Sequence, residues 1–222
     1  MEAQVNFQEI EHKSANYLAQ QFDPGAPHFF LLGTNSIMFS APHSVEQFRN
    51  NRVKIHESHT AVLAELLHVQ AGTHALIKQR NLMDDANYDD YSPFRNDLIR
   101  YIKAHKIKLL MDLHIMKESN EHQIELASGN GHNILHNWAL IDTMTNIGNQ
   151  YNLDKIVIDV NFLALNPNCV ASHISLECQI PAIQLEINWG LLKREETFFL
   201  LLRYLNYVIK VILEQMKDDS TS

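Results

Sequence analysis

Two periods of apolar and polar residues alternate along this chain, and the switches between them mark out its elements. HFFLLG (28–33) and SIMFSA (36–41), split by Gly-Thr-Asn, read as a β-hairpin or two adjacent strands. From Ser58, HTAVLAELLHVQ carries apolar residues at helical spacing, with Gly72 as its stop. THALIK (73–78) is a short strand, and Pro93 opens FRNDLIRYIKAH as a helix, since proline is tolerated in a first turn. KIKLLMDLH (106–114) becomes strongly apolar, as expected for a strand in the middle of a sheet, and HQIELA (122–127) alternates. A long helix over 133–151, a strand KIVIDV (155–160), a strand PAIQLEIN (181–188) and a closing helix over 195–217 complete the series.

Strands and helices in alternation imply an α/β protein, with helices on both faces of a mixed, largely parallel sheet in three αβα layers. With no repeat or low-complexity tract, residues 1–222 are expected to form a single domain, loose only over the first few residues and the final KDDSTS. In such sheets ligands bind beyond the carboxyl ends of the strands. His43 follows SIMFSA, His114 ends KIKLLMDLH and Glu186 lies near the end of PAIQLEIN, so three strands deliver polar groups to the same end.

Composition narrows the function. A formal charge of −8, from 18 Lys and Arg against 26 Asp and Glu, argues against nucleic acid and anionic membrane, which require clustered positive charge. No apolar run reaches the roughly 18–20 residues of a membrane helix, and the polar start MEAQVNFQEIEHKS lacks a signal-peptide core. Cys169 and Cys178 are too few for a disulfide framework and read as reduced thiols of a cytoplasmic protein, with a single Cys169–Cys178 bridge as the alternative. The 13 histidines are an anomaly, although one metal site uses only two or three of them. The apolar run in the closing helix is expected to fill the core rather than a partner contact, and nothing in the chain gives an oligomeric state.

The candidate chemistry is a hydrolytic zinc site, which needs three protein ligands and an open position. His43 and Glu46, in APHSVE, with His114, in DLH, supply two imidazoles and a carboxylate, a donor set suited to zinc. Zinc there would acidify water and polarise a carbonyl. Glu186, within apolar QLEIN, is the candidate general base and acid, its pKa raised by desolvation. Asp112, two residues before His114, is placed to hold a zinc-binding imidazole in one tautomer.

APHS, DLH and QLEIN, in this order, resemble the N-formylglutamate amidohydrolase branch of the zinc carboxypeptidase superfamily over roughly residues 28–192. The resemblance implies a carboxypeptidase-like (phosphorylase/hydrolase-like) fold, one zinc ion per chain held by His43, Glu46 and His114, and Glu186 as base and acid. In QRNLMDDANYDD, Arg80 and Asn87 keep the deacylase interval of seven, and Asp85 keeps its place. By that likeness Arg80 stabilises the oxyanion and Asn87 helps to hold a substrate carboxylate. Two departures stand out. Tyr88 replaces the family's second arginine, leaving Arg49, Lys54 and Arg95 to supply a substrate-binding charge. Many formylglutamate hydrolases take their acidic ligand from further along, which makes Glu57, in KIHESHT, the rival of Glu46.

The expected activity is zinc-dependent hydrolysis of an N-formyl or small N-acyl amide of an amino acid. The alternatives are a carboxypeptidase-like peptidase acting on short peptides and a non-catalytic relative that binds a small acid.

Overall fold

The computed structural model describes residues 6–218; residues 1–5 and 219–222, within the two ends expected to be loose, lie outside it. In chain order the elements are α1 (Phe7–Ala19), β1 (His28–Leu31), β2 (Ile37–Ala41), β3 (Gln47–Arg49), β4 (Arg52–Lys54), α2 (Ser58–Ala71), β5 (His74–Lys78), α3 (Pro93–His105) and β6 (Leu109–Met116). They continue with β7 (Ile124–Ala127), α4 (Trp138–Gln150), β8 (Ile156–Ile158), α5 (Val170–Cys178), β9 (Ala182–Asn188), α6 (Trp189–Leu192) and α7 (Glu195–Asp218).

Local chemistry sets several of these boundaries. Gly72 closes α2 in the left-handed region at φ 68°, where a side chain would be strained. Ser92 caps α3 by accepting from Arg95 N, with Pro93 in the first turn. The segment over 133–137, expected to be helical, is instead a series of turns with positive φ at Leu135 and His136, so α4 starts only at Trp138. Likewise β8 stops at Ile158, before Asp159 at φ 51°, so the predicted strand ends two residues early. α1, α5 and the β3–β4 hairpin were not legible in the sequence. α1 starts from an Asn6 cap accepting from Glu9 N, whereas β3–β4 is a short two-stranded ribbon whose second strand is fully exposed.

Seven strands form the main sheet in the order β1-β5-β2-β6-β9-β7-β8. β5, β2, β6 and β9 run parallel, β1 is antiparallel to β5, and β7 is antiparallel to β9. β1 and β2 are therefore not a hairpin: β5 is inserted between them and pairs with both.

The two faces of the sheet differ. One face, with Phe39, Met111, Leu113, Leu185 and Ile187, packs against α1, α2, α4, α6 and α7 in the larger apolar core. α7 turns Phe198, Leu201, Leu205, Val208 and Ile212 into that core, each such burial being favourable by about 1.5–3 kcal/mol. The apolar run of this helix thus belongs to the interior. On the other face Met38, Leu76, Leu110 and Ala182 are covered by α3 and α5. Further along the same strands that face turns polar while staying buried, with Ser40, Lys78, Asp112, His114, Gln184 and Glu186. Because side chains alternate with period two, one register aligns these groups across strands: Ser40 beside Asp112 beside Gln184, then His114 beside Glu186 beside Glu125. No helix among the described residues is long and apolar enough to cross a membrane. Cys169 and Cys178 are free thiols.

Candidate active site

The polar rungs end in a cluster of two imidazoles and a carboxylate. His43 sits in the turn leaving β2, where Ser44 Oγ bonds Ala41 O at 3.1 Å and also Lys78 O, tying the exits of β2 and β5 together. His114 lies within β6. Glu57 precedes α2 and makes no capping bond to that helix with its side chain, so its carboxylate is free to turn inward. Glu57 Oε1 is 3.2 Å from His43 Nδ1 and Glu57 Oε2 is 3.2 Å from His114 Nδ1. The Ile115 amide donates to Oε2 at 3.1 Å, and the Glu57 amide donates to His43 O at 2.7 Å, which fixes the carboxylate between the rings. The ring centroids of His43 and His114 are 4.7 Å apart.

Each imidazole is held from behind. His43 Nε2 meets Asp85 Oδ1 at 3.0 Å, and His114 Nε2 meets Asp112 Oδ2 at 2.8 Å. Asp112 Oδ1 in turn accepts from Ser40 Oγ at 2.5 Å, and Asp85 Oδ2 is gripped by Arg49 Nε and Nη2 at 2.8 and 2.7 Å. Once the ring has lost its Nδ1 proton, a carboxylate on Nε2 favours the Nε2–H tautomer and leaves Nδ1 as the atom facing Glu57.

The electrostatics follow from burial and these pairings. Burial opposes ionisation of Glu57, but the facing His43 and His114 hold its carboxyl down at about 2. Burial likewise depresses both histidines; the carboxylates of Glu57 and Asp85 bring His43 above its ordinary value, and Asp112 and Glu57 bring His114 well above it. Glu186 differs. It lies beside His114 across β6–β9, with Gln184 Nε2 donating to it at 2.7 Å, and burial pushes its carboxyl up to about 7, with the Glu57 charge adding to the rise.

The structure brings together His43, Glu57 and His114, whose ligand atoms all lie within 4.8 Å of one another. Glu46, preferred from the H-x-x-E spacing, is not in that group. Its carboxylate accepts from Gln21 Nε2 at 3.1 Å and its amide donates to Gln21 Oε1 at 3.1 Å, turning it toward the segment after α1. Arg80 is likewise placed elsewhere. Gln79 N and Arg80 N both donate to Pro27 O, at 2.8 and 3.1 Å, and Asn81 N donates to Gln21 O, which anchors this stretch to the α1–β1 connection. The Arg80 guanidinium lies against Gly25 and lines a cleft with Lys13, Tyr17 and Glu65.

Asn87 reaches the cluster, but both ends of its amide are engaged: Oδ1 accepts from Val170 N at 2.7 Å and Nδ2 is 2.9 Å from His114 Nε2. It braces α5 against the histidine through its Oδ1, and an N–H of its Nδ2 remains to donate. Tyr88 stands under the Arg49 guanidinium, 4.7 Å from ring centroid to Cζ, and donates to Asn50 Oδ1 at 3.1 Å. Of the three cations considered for the missing arginine, Arg49 adjoins the cluster through Asp85, whereas Lys54 is exposed on β4. Arg95 is fully buried with its guanidinium on the carbonyls of Ala86, Asp89, Asp90 and Asn168, a structural clamp.

Sequence reasoning placed Asp85 in the motif without a role, since its partner His43 is 42 residues away, and it missed a second contributor. Glu125, fully buried beside Glu186, accepts on Oε1 from the amides of Val160, Asn161 and Phe162 and on Oε2 from Asn161 Nδ2, holding the 160–162 loop. Only the sheet register reveals it.

An αβα sheet ending in a histidine–carboxylate–histidine cluster defines this chain as having the fold of the amidohydrolase-like proteins. It is similar to N-formylglutamate amidohydrolase from Ralstonia eutropha JMP134, with a TM-score of 0.61 and 14% identity over 88% of this chain and 100% of the other. A gene product of Agrobacterium tumefaciens matches with a TM-score of 0.61 and 11% identity, covering 87% and 97%. A bacteriophage poly-gamma-glutamate hydrolase matches with a TM-score of 0.50 and 15% identity, covering 88% and 92%. At these identities the likeness establishes a common fold. No protein-family model and no curated protein sequence matches the chain.

Proposed function

We propose that this chain is a metal-dependent amidohydrolase that removes an N-formyl or small N-acyl group from an amino acid. The observation that carries the reading is the convergence of His43, Glu57 and His114 beside a buried Glu186 whose carboxyl is raised to about 7. The fold shared with an N-formylglutamate amidohydrolase supports it.

The residues fit a zinc ion. Glu57 Oε1 stands 3.2 Å from His43 Nδ1 and Oε2 3.2 Å from His114 Nδ1, and with one ligand atom from each residue the three lie within 4.8 Å of one another, close enough to share one ion. Two imidazoles and one carboxylate form the donor set of a hydrolytic site, with a position left for substrate. When bound, the cation supplies Lewis acidity, polarising a scissile carbonyl and acidifying water.

The protein's own groups do the rest. Asp85 and Asp112 hold the two imidazoles with Nδ1 facing inward. Glu186, in its ionised form, accepts a proton from the attacking water, and in its protonated form returns it to the leaving nitrogen. A carboxyl with a pKa near 7 serves both roles at neutral pH. Arg49, which adjoins the cluster through Asp85, is the candidate for the oxyanion role that the family likeness gives to Arg80. The test is metal content of the purified protein and hydrolysis of a panel of N-formyl and N-acyl amino acids, before and after chelation and with zinc restored. Activity indifferent to chelation, or equal in Glu186→Gln, overturns the reading.

A further inference from the structure

A cavity of about 460 Å³ has Glu57 in its wall. Its walls include Ile55, His56, Ile115, Met116 and Trp189, with Lys117 and Glu118 at one side. Ile55 is 81% exposed, a large apolar side chain at the rim with nothing covering it. Lys117 is the only lysine or arginine in the cavity wall, and the neighbouring Glu118 is paired with Lys193 and Arg194. Neither arginine near the cluster lines the cavity: Arg49 pairs with Asp85, and Arg95 with four carbonyls.

We infer that this cavity takes the side chain of the substrate amino acid, and that the side chain is aliphatic or aromatic rather than acidic. The inference rests on the amidohydrolase reading for the identity of the reacting bond, and on the cavity for specificity. A glutamate side chain would bring a second carboxylate among Ile115, Met116 and Trp189, where no guanidinium meets it and desolvation is uncompensated. A leucine or phenylalanine side chain fills the same space with favourable burial and leaves one α-carboxylate, matched by the single ammonium of Lys117. Glu57 is common to the cavity wall and the ligand cluster, so a side chain held in the cavity lies next to the cluster.

The experiment compares N-formyl-phenylalanine and N-formyl-leucine with N-formylglutamate on the zinc-loaded protein, reading both kcat/KM and tryptophan fluorescence. Trp138→Phe leaves Trp189 as the sole indole. The apolar substrates should exceed N-formylglutamate by at least about tenfold in kcat/KM, the usual discrimination of a hydrophobic pocket. They should also change Trp189 fluorescence saturably. Ile55→Asp, at an exposed position that does not test folding, should erode that preference severalfold, chiefly through KM. Preference for N-formylglutamate in rate and in fluorescence, or an Ile55→Asp variant with unaltered selectivity, overturns the inference. If no compound is hydrolysed but Trp189 still responds to the apolar compounds alone, the cavity assignment stands and the amidohydrolase reading falls.

Discussion

Asp85 Oδ1 lies 3.0 Å from His43 Nε2, and the same carboxylate is held from its other oxygen by Arg49. The arrangement mirrors Asp112 behind His114, so each imidazole has its own carboxylate, delivered by a different part of the chain. Orientation of both rings is thereby set by protein groups rather than by a bound ion.

Replacing Asp85 with asparagine keeps the size of the side chain and removes its charge. Zinc affinity should fall about 10–100-fold, the usual cost of losing a carboxylate that orients a ligand histidine. Competition against a chromophoric chelator reads this directly. An affinity equal to that of the parent would remove Asp85 from the support of the site.

Glu57 and Glu46 are separated by one pair of variants. Glu57→Gln should purify with little zinc, whereas Glu46→Gln, which alters the contact with Gln21 outside the cluster, should keep about one ion per chain. Elemental analysis of both proteins is sufficient, and the opposite pattern would restore Glu46.

Metal affinity should rise with pH. In the metal-free protein His43 and His114 are raised above the ordinary 6.5 by the carboxylates around them, so near neutrality they carry protons that a cation must displace. Glu57, held at about 2, stays ionised and adds no slope. The raised histidines stabilise the metal-free fold below pH 6.5, and that contribution is lost as pH rises through their folded pKa values. The lowered Glu57 stabilises above pH 4.5 and loses its contribution as pH falls toward 2. The difference in Tm between zinc-loaded and metal-free protein should therefore widen from pH 5.5 to pH 8. A constant difference would contradict the protonation of the pair.

Glu186→Gln should lower kcat by about 10²–10⁴ while zinc content is unchanged, since Glu186 acts on the proton rather than holding the ion. The parent's rate should decline on the acid side at or below pH 7, because a carboxyl raised to about 7 must ionise before it can accept a proton. That acid limb should be absent in the variant.

Glu125→Ala should cost about 1–3 kcal/mol, by removing the charged acceptor that holds the amides of the 160–162 loop. Hydrogen exchange at Val160, Asn161 and Phe162 should speed up while exchange in α7 changes only with global stability. Uniform protection across the loop would show that other contacts hold it.

The sequence by itself determined the layered α/β fold, because apolar runs of strand length and amphipathic helical stretches each specify how they bury. It also determined His43, His114 and Glu186 as a group, since the ends of parallel strands gather on one side of a sheet. Local chemistry was legible at Gly72 and Pro93, where a single backbone preference decides. Tertiary structure decided what depends on direction across long separations. β5 was inserted between β1 and β2, a pairing for which local pattern gives no signal. Glu57 rather than Glu46 faced the histidines, because Gln21 holds one and the Ile115 amide the other. Arg80 was drawn to Pro27, and Asp85 arrived behind His43 from 42 residues away. Periodicity fixes which face a side chain occupies, but which groups meet on that face is settled only when the strands come into register.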